Sequence, residues 1–291
     1  MPWNDKLLNS NLDYQSQKQC KTSSFAFYQA VRDLLPVWLL EDMRTTEVFH
    51  WEEGGKVSSY SPSEALLYAL VHDHQPYAYY LLNKYSKKAL DMPSKSFCCC
   101  QSSAPHLAMA VRYNRINSLE RILKTVKELA ENDRSLYVNS RGCIHTEGGQ
   151  TPLHLACELG RLECLTLLLG YGASPSSTDC NGQTPLDTLL QQICQNSSHL
   201  CSIRLCLDKL LLFMPDLQFK MRSELLNNSG LWQNLLGENT FQWLVGFCPP
   251  TLYVMSMQVL IKAISPEQFP EGLANLPVPH FLKPLNVSVN M

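Results

Sequence analysis

The chain has 291 residues, of which 45% are hydrophobic, and its 24 Lys and Arg against 26 Asp and Glu leave a net charge of −2. This length allows two or more domains with a substantial core, and the hydrophobic share is ordinary for a folded protein. The near-balanced charge argues against a nucleic-acid or anionic-membrane surface, because either needs a basic stripe. No apolar run reaches the roughly 18 residues that a membrane span requires.

The N-terminal part predicts a mobile segment and then capping helices. Residues 1–22 are polar and lack the apolar region of a signal peptide, so we expect a mobile N-terminus and a cytoplasmic protein. Residues 23–59 predict helices that either cap the following elements or bind a partner, with a hairpin-like turn at 51–55. The apolar positions of the first helix fall on one stripe, namely Phe27, Ala30, Val31, Leu34 and Leu35.

A repeated unit occupies residues 60–215 and is clearest over 149–190. The motif Thr151-Pro152-Leu153 recurs 33 residues later as Thr184-Pro185-Leu186, which is the ankyrin period. Thr151 is suited to cap a helix with Pro152 in its first turn, and Gly160 permits the left-handed residue that ends it. The sequence therefore predicts an all-α fold, an ankyrin-repeat solenoid of helix pairs joined by hairpin loops.

Weaker copies of the unit precede and follow the clear one. Ala156 stands 12 residues before Leu168, and Ala110 and Ala69 have the same spacing to Ile122 and Leu81. Asn114 and Asp73 take the place of Gly160, since both tolerate left-handed backbone. Longer steps between copies predict insertions at 84–103 and 126–149, and a fourth copy from Thr184 is interrupted near 195–198.

The cysteines and histidines do not predict a metal or catalytic site. Cys98-Cys99-Cys100 near His106 suggests zinc, but three adjacent cysteines do not readily share one tetrahedral ion, and no second CxxC pair occurs. Motifs for nucleotide, metalloprotease or serine-hydrolase chemistry are absent. We therefore predict a non-catalytic protein without metal or cofactor. Five other cysteines lie among leucines and are expected in the core: Cys157, Cys164, Cys194, Cys201 and Cys206.

The C-terminal part predicts a helical linker at 216–249 and a distinct region at 250–288. Thr251 is suited to cap an amphipathic helix that extends to Ile264, and Leu276-Pro277-Val278-Pro279 begins 24 residues after Leu252. The helix places four residues on one face, namely Leu252, Ser256, Val259 and Leu260. The simplest alternative is a helix and proline-rich tail that pack on the last repeat.

This region resembles a SOCS box, the segment by which receptor proteins dock onto ubiquitin ligases. Its elongin-binding half matches at Thr251, Leu252 and Leu260, while Ser256 stands where the family has cysteine. Its cullin-selecting half matches at Leu276, Pro277, Val278 and Pro279. A competing elongin motif, Leu244–Cys248–Leu252, has the cysteine but is interrupted by Pro249-Pro250.

The whole chain resembles a vertebrate family of ankyrin-repeat proteins with a SOCS-box-like C-terminus. The resemblance is carried by residues 24–43, 60–74, 110–114 and 263–266. It implies a substrate receptor of a cullin-RING E3 ubiquitin ligase that uses elongins B and C and cullin-5, with cullin-2 as the alternative. It also implies targets among the enzymes of nucleotide synthesis, with IMP dehydrogenase as the expected class.

Target binding is predicted at the hairpin tips and at exposed aromatic residues, since aromatic anchors dominate many interfaces. The alternative function is an ankyrin scaffold with no role in ubiquitination. The residues predicted to contact the target are Glu147, Gln150, Tyr171, Thr178, Asp179 and Asn181.

Overall fold

The computed structural model describes residues 25–46, 49–50, 57–94, 105–142, 148–195, 200–264, 266 and 268–276. The chain divides into two compact units, Met1–Leu129 and Ala130–Met291. Helices predominate in the described ranges, where the strands are limited to one short antiparallel pair. Over the same ranges, no helix has the length and apolar character needed to cross a membrane.

The first unit opens with two helices and a small hairpin. Phe27 is fully buried and stacks on Tyr60 with ring centroids 4.7 Å apart, so the first helix packs against the start of the repeats. The expectation that Leu34 continues the buried stripe is wrong. The helix ends at Arg32, and Leu34 adopts a left-handed φ of 56° that leaves it 57% exposed. The elements are α1 (Phe25–Arg32), α2 (Val37–Thr46), β1 (Phe49–His50) and β2 (Val57–Ser58).

Two helix pairs follow in the first unit. Ser61 and Glu64 form a reciprocal capping box at the first of them, and Pro62 occupies its first turn. The first helix of each pair ends at a residue with left-handed backbone, Asp73 at φ 58° and Asn114 at φ 56°, which confirms their predicted roles. The pairs are α3 (Pro62–His72) with α4 (Gln75–Tyr85), and α5 (Pro105–Arg112) with α6 (Ile116–Val126).

The second unit contains two further pairs, which confirms the ankyrin-repeat prediction. Thr151 caps the first of their helices in a capping box with His154, and Gly160 ends that helix at φ 60°. The predicted insertion at 126–149 is not entirely a loop, because it includes α7 (Glu131–Val138). The pairs are α8 (Pro152–Glu158) with α9 (Leu162–Gly170), and α10 (Pro185–Gln195) with α11 (Leu200–Leu212).

Buried side chains connect each of these pairs to the segment that follows it. His154 accepts a hydrogen bond from the Thr151 backbone at Nδ1 and donates from Nε2 to the Gln183 carbonyl at 3.0 Å. Asp187 occupies the equivalent position in the next pair, and its carboxylate accepts the Met221 backbone N–H at 2.8 Å. The same carboxylate also accepts the Thr184 N–H at 2.8 Å. Asp187 thereby fixes the beginning of the C-terminal helices.

Three short helices occupy the part of the chain where the sequence predicts a helical linker. Trp232, Leu225, Phe241 and Leu244 are buried among them and form their core. The elements are α12 (Arg222–Asn227), α13 (Ser229–Leu236), α14 (Glu238–Val245), α15 (Leu252–Ala263) and α16 (Glu271–Ala274).

The cysteine prediction is correct for three residues and wrong for two. Cys157, Cys164 and Cys206 are buried, and burial raises the pKa of Cys164 and of Cys206 to about 12. Cys194 and Cys201 are exposed, because they lie where α10 ends and α11 begins. His106 is buried with its Nε2 3.1 Å from the Ser63 carbonyl oxygen. The described residues contain no group of three metal-ligating side chains, and Cys98-Cys99-Cys100 lie outside them.

Candidate protein-interaction surfaces

Helix α15 begins where the sequence predicts. Pro249 and Pro250 precede it, and Thr251 has the extended backbone of an N-cap, with its hydroxyl accepting the Val254 N–H at 3.4 Å. A proline pair cannot continue the preceding helix, and the threonine satisfies one of the first amide groups of the new one. The local sequence therefore sets both the start and the direction of α15.

One face of α15 is fixed to the protein. Met257 is buried, and the Gln258 side-chain amide donates to the Leu211 carbonyl at 2.9 Å and to the Met214 carbonyl at 3.2 Å. These carbonyls lie at the C-terminal end of α11, where a helix has acceptors without helical partners. The contact anchors α15 through one apolar and one polar side chain.

The opposite face of α15 is apolar and exposed. Leu252 is 82% exposed, Val259 is 69% exposed, and Met255 and Ser256 are exposed between them. These four residues stand at i, i+3, i+4 and i+7, the arrangement that surrounds a hole for a side chain of a second helix. We call this set the docking face. Sequence reasoning missed Met255, although its position one turn after Leu252 is enough to place it there.

Two details modify the predicted elongin set. Leu260 is only partly exposed, because at about 100° per residue it turns from the docking face toward the flank, and Val259 takes the central position. The Ser256 hydroxyl donates to the Tyr253 carbonyl at 2.8 Å. A serine whose donor is already satisfied within its own helix presents a less polar surface to a partner.

The remaining tail prediction falls largely outside the described residues. Leu276 is partly exposed after α16, whereas Pro277, Val278 and Pro279 lie beyond the described ranges. The competing motif that begins at Leu244 is wrong. Leu244 is fully buried in α14, which ends at Val245 before a left-handed Gly246, so it cannot share a helix with Leu252.

The hairpin between α9 and α10 carries most of the predicted target contacts. Asn181 is exposed at its tip, and Thr178 is partly exposed. Asp179 is buried, and its Oδ1 accepts the backbone N–H of Asn181 and of Gln183, both at 2.8 Å. The expectation that Asp179 contacts the target is corrected accordingly, since its carboxylate stabilises the turn. Gln150 is partly exposed, and Glu147 lies outside the described residues.

Tyr171 is not an exposed aromatic anchor, as the sequence reasoning expected. It is 3% exposed, and its ring meets the ring of Phe269 edge-on at a centroid distance of 5.5 Å. No periodic pattern indicates this contact, because almost a hundred residues separate the two rings along the chain. The burial removes Tyr171 from the candidate target surface.

Comparisons with known proteins agree with this architecture. A family model of ankyrin repeats (3 copies) matches residues 107–202. Ankyrin repeat domain-containing protein 9 of Mus musculus is 51% identical over 298 residues, which cover 94% of this chain and 91% of that protein. ARF GTPase-activating protein GIT1 of Homo sapiens is 51% identical over 44 residues, which cover 15% of this chain and 6% of that protein.

A third relative is the target of rapamycin complex 2 subunit AVO2 of Saccharomyces cerevisiae, 42% identical over 55 residues. That match covers 19% of this chain and 12% of the yeast protein. These short matches cover less than a fifth of this chain and say nothing about the rest of it. The mouse relative is similar over nearly the full length of both proteins. The chain therefore belongs to the family of ankyrin repeat domain-containing protein 9, whose repeats make it a protein-interaction protein.

Proposed function

We propose that this chain is the substrate receptor of a cullin-RING E3 ubiquitin ligase. In this role the docking face of α15 binds the elongin B/C pair and the segment from Leu276 binds cullin-5. The repeats present a target protein for ubiquitination and proteasomal degradation in the cytoplasm. The target class, nucleotide-synthesis enzymes such as IMP dehydrogenase, rests on the family resemblance alone.

The observation that carries the proposal is the exposed docking face on an otherwise anchored helix. Leu252, Met255 and Val259 form a row of solvent-exposed apolar side chains, while Met257 and Gln258 hold the opposite face in place. Burying one such side chain in a partner contributes about 1.5–3 kcal/mol. An amphipathic helix that presents anchors at i, i+3, i+4 and i+7 is typical of helix-in-groove recognition.

A titration calorimetry experiment with purified elongin B/C tests the elongin arm. Leu252→Asp is expected to weaken binding by at least about a hundredfold, because a charge then enters an apolar pocket. The matched control is Leu231→Asp, which changes an exposed leucine of α13 in the same unit. Equal affinities for wild type and Leu252→Asp would remove α15 from the elongin contact.

The alternative function, an ankyrin scaffold without a ligase role, is favoured by the anchoring of α15 to α11. In that case the helix that Met257 and Gln258 hold in place covers the last helix pair and binds no partner. Recovery of cullin-5 with a Leu276→Ala/Pro277→Ala variant separates the two functions. A receptor is expected to lose cullin-5 while it keeps elongin B/C, whereas a scaffold recovers neither even as wild type.

A further inference from the structure

The segment after α15 returns to the clearest ankyrin repeat through one aromatic contact. Phe269 is 4% exposed, and its ring lies against Gly170 so closely that a methyl group at that glycine would overlap it. Pro266 lies beside Gly172, 3.4 Å from the position that a Cβ atom would take there. We call the set Gly170, Tyr171, Gly172, Pro266 and Phe269 the aromatic joint.

The aromatic joint lies between the two surfaces described above, the hairpin that carries Asn181 and the docking face of α15. Tyr171 and Gly172 form the base of the hairpin that carries Thr178 and Asn181, and this base is hydrogen-bonded throughout. The Gly172 N–H donates to the Leu169 carbonyl at 3.1 Å. The Ser174 N–H donates to the Asn139 side chain at 2.6 Å. The other side of the joint follows directly from the last turn of α15.

We propose that Phe269 is a positioning residue that fixes the elongin-docking helix to the base of the target-facing hairpin. The proposal rests on the proposed function, because it assigns a purpose to the connection between those two surfaces. A ligase must hold a lysine of its target within reach of the transferred ubiquitin, and a loose joint lowers the effective concentration of that lysine. The joint makes the ligase contact and the target contact parts of one rigid body.

The packing around Phe269 explains why the ring itself matters. A half-open pocket of about 220 Å³ adjoins it, lined mainly by apolar side chains that include Leu169, Phe213 and Ile264. A smaller side chain at position 269 would enlarge this pocket, because packed helices collapse only partly around a deletion. The contact of the ring with Gly170 and Tyr171 is therefore the specific element of the joint.

A thermodynamic cycle tests the contact without any partner protein. Gly170 is the last residue of α9. By helix propensity alone, alanine is more favourable than glycine at this position. In the wild-type chain Gly170→Ala is expected to lower the Tm by about 4 °C or more, because the methyl group displaces the ring. In the Phe269→Ala chain the same substitution is expected to be neutral or stabilising. If Gly170→Ala changes the Tm equally in both chains, the ring of Phe269 does not contact Gly170.

Amide hydrogen exchange with and without elongin B/C tests the positioning role. The reporters are the hydrogen-bonded N–H groups of Gly172, Ala173 and Ser174, which lie at the hairpin base and outside α15. Elongin B/C is expected to slow their exchange about threefold or more in wild type and to leave it unchanged in Phe269→Ala. Phe247→Ala, which removes an exposed phenylalanine of the same unit, is expected to behave as wild type.

The outcomes separate this proposal from the proposed function. If elongin B/C binds wild type and the hairpin base does not respond, Phe269 has no positioning role. If elongin B/C does not bind at all, the proposed function fails, and the thermodynamic cycle alone then decides whether the joint exists. A response that persists in Phe269→Ala assigns the coupling to other residues and overturns the proposal.

Discussion

The side-chain amide of Gln258 donates a 2.9 Å hydrogen bond to the backbone carbonyl of Leu211. Leu211 belongs to the last turn of α11, so a side chain of the docking helix adds a second donor to a carbonyl that otherwise accepts only the Met214 N–H at 3.3 Å. The contact sets the rotation of α15 about its axis, and this rotation decides which residues face outward. The exposure of Leu252 and Val259 is thus a consequence of Gln258 and Met257.

Gln258→Ala is expected to loosen α15. The carbonyls of Leu211 and Met214 lose their hydrogen bonds from Gln258, and Leu211 keeps only the Met214 N–H. The free energy of unfolding should therefore fall by about 1–2 kcal/mol in urea titration. Elongin B/C affinity should fall as well, because the helix no longer has one fixed orientation. Gln195→Ala, at the exposed end of α10, is the control for the loss of an amide. Unchanged stability and affinity would mean that Met257 alone orients the helix.

Position 256 is expected to control elongin affinity by size and polarity. Ser256→Cys should tighten binding about threefold to tenfold, since the thiol is less polar than the hydroxyl and only slightly larger. Ser256→Leu should abolish binding, because it fills the hole that Leu252, Met255 and Val259 surround. Both variants should retain the wild-type Tm, as the residue is exposed. Tight binding by the leucine variant would show that no partner side chain enters the hole.

Asp187 is expected to be essential for stability. Its buried carboxylate accepts backbone N–H groups from Thr184, Lys220 and Met221, and alanine would leave these donors without a partner. We expect Asp187→Ala to cost about 3–5 kcal/mol and Asp187→Asn to cost less, because the amide oxygen retains part of the bonding. Urea unfolding measures both. A cost below about 1 kcal/mol for the alanine variant would contradict this role.

Buried His106 is expected to make the protein less stable in mild acid. Burial lowers the pKa of His106 from its ordinary value of 6.5 to about 4. The unfolded chain therefore takes up a proton at a higher pH than the folded chain, and stability falls as the pH drops from about 6.5 toward 4. His106 alone contributes a loss of about 2 kcal/mol between pH 7 and pH 5. His106→Gln should reduce the pH dependence of the urea midpoint, and an unchanged dependence would contradict the assignment.

The repeat core could be predicted from the sequence because its signals are local and periodic. Ala69, Ala110 and Ala156 share one spacing to the apolar pairs that follow them, and caps such as Thr151 depend on residues three positions away. The start of α15 was predictable for the same reason. Asp73 and Asn114 were predictable because few residue types accept left-handed backbone.

The errors at Tyr171 and Asp179 have two different causes, long-range packing and a hydrogen bond within one loop. The burial of Tyr171 depends on Phe269, a residue almost a hundred positions away whose surroundings carry no repeat signal. The sequence around Asp179 is typical of an exposed turn, but the Asp179 carboxylate accepts a hydrogen bond from a backbone N–H of the same loop. On α15 the sequence predicted the outward position of Val259, and Leu260 is partly exposed at the edge of the same face, with the rotation of the helix fixed by Gln258 on Leu211.

Methionine oxidation tests the central claim most directly. Met255 is exposed on the docking face, Met257 is buried on the opposite face of the same helix, and Met92 is exposed in the other unit. With saturating elongin B/C, peroxide oxidation of Met255 is expected to slow about fivefold or more while that of Met92 stays the same. Oxidation of Met255 at the rate of the free chain, in a complex that has formed, would contradict the claim that this face binds elongin.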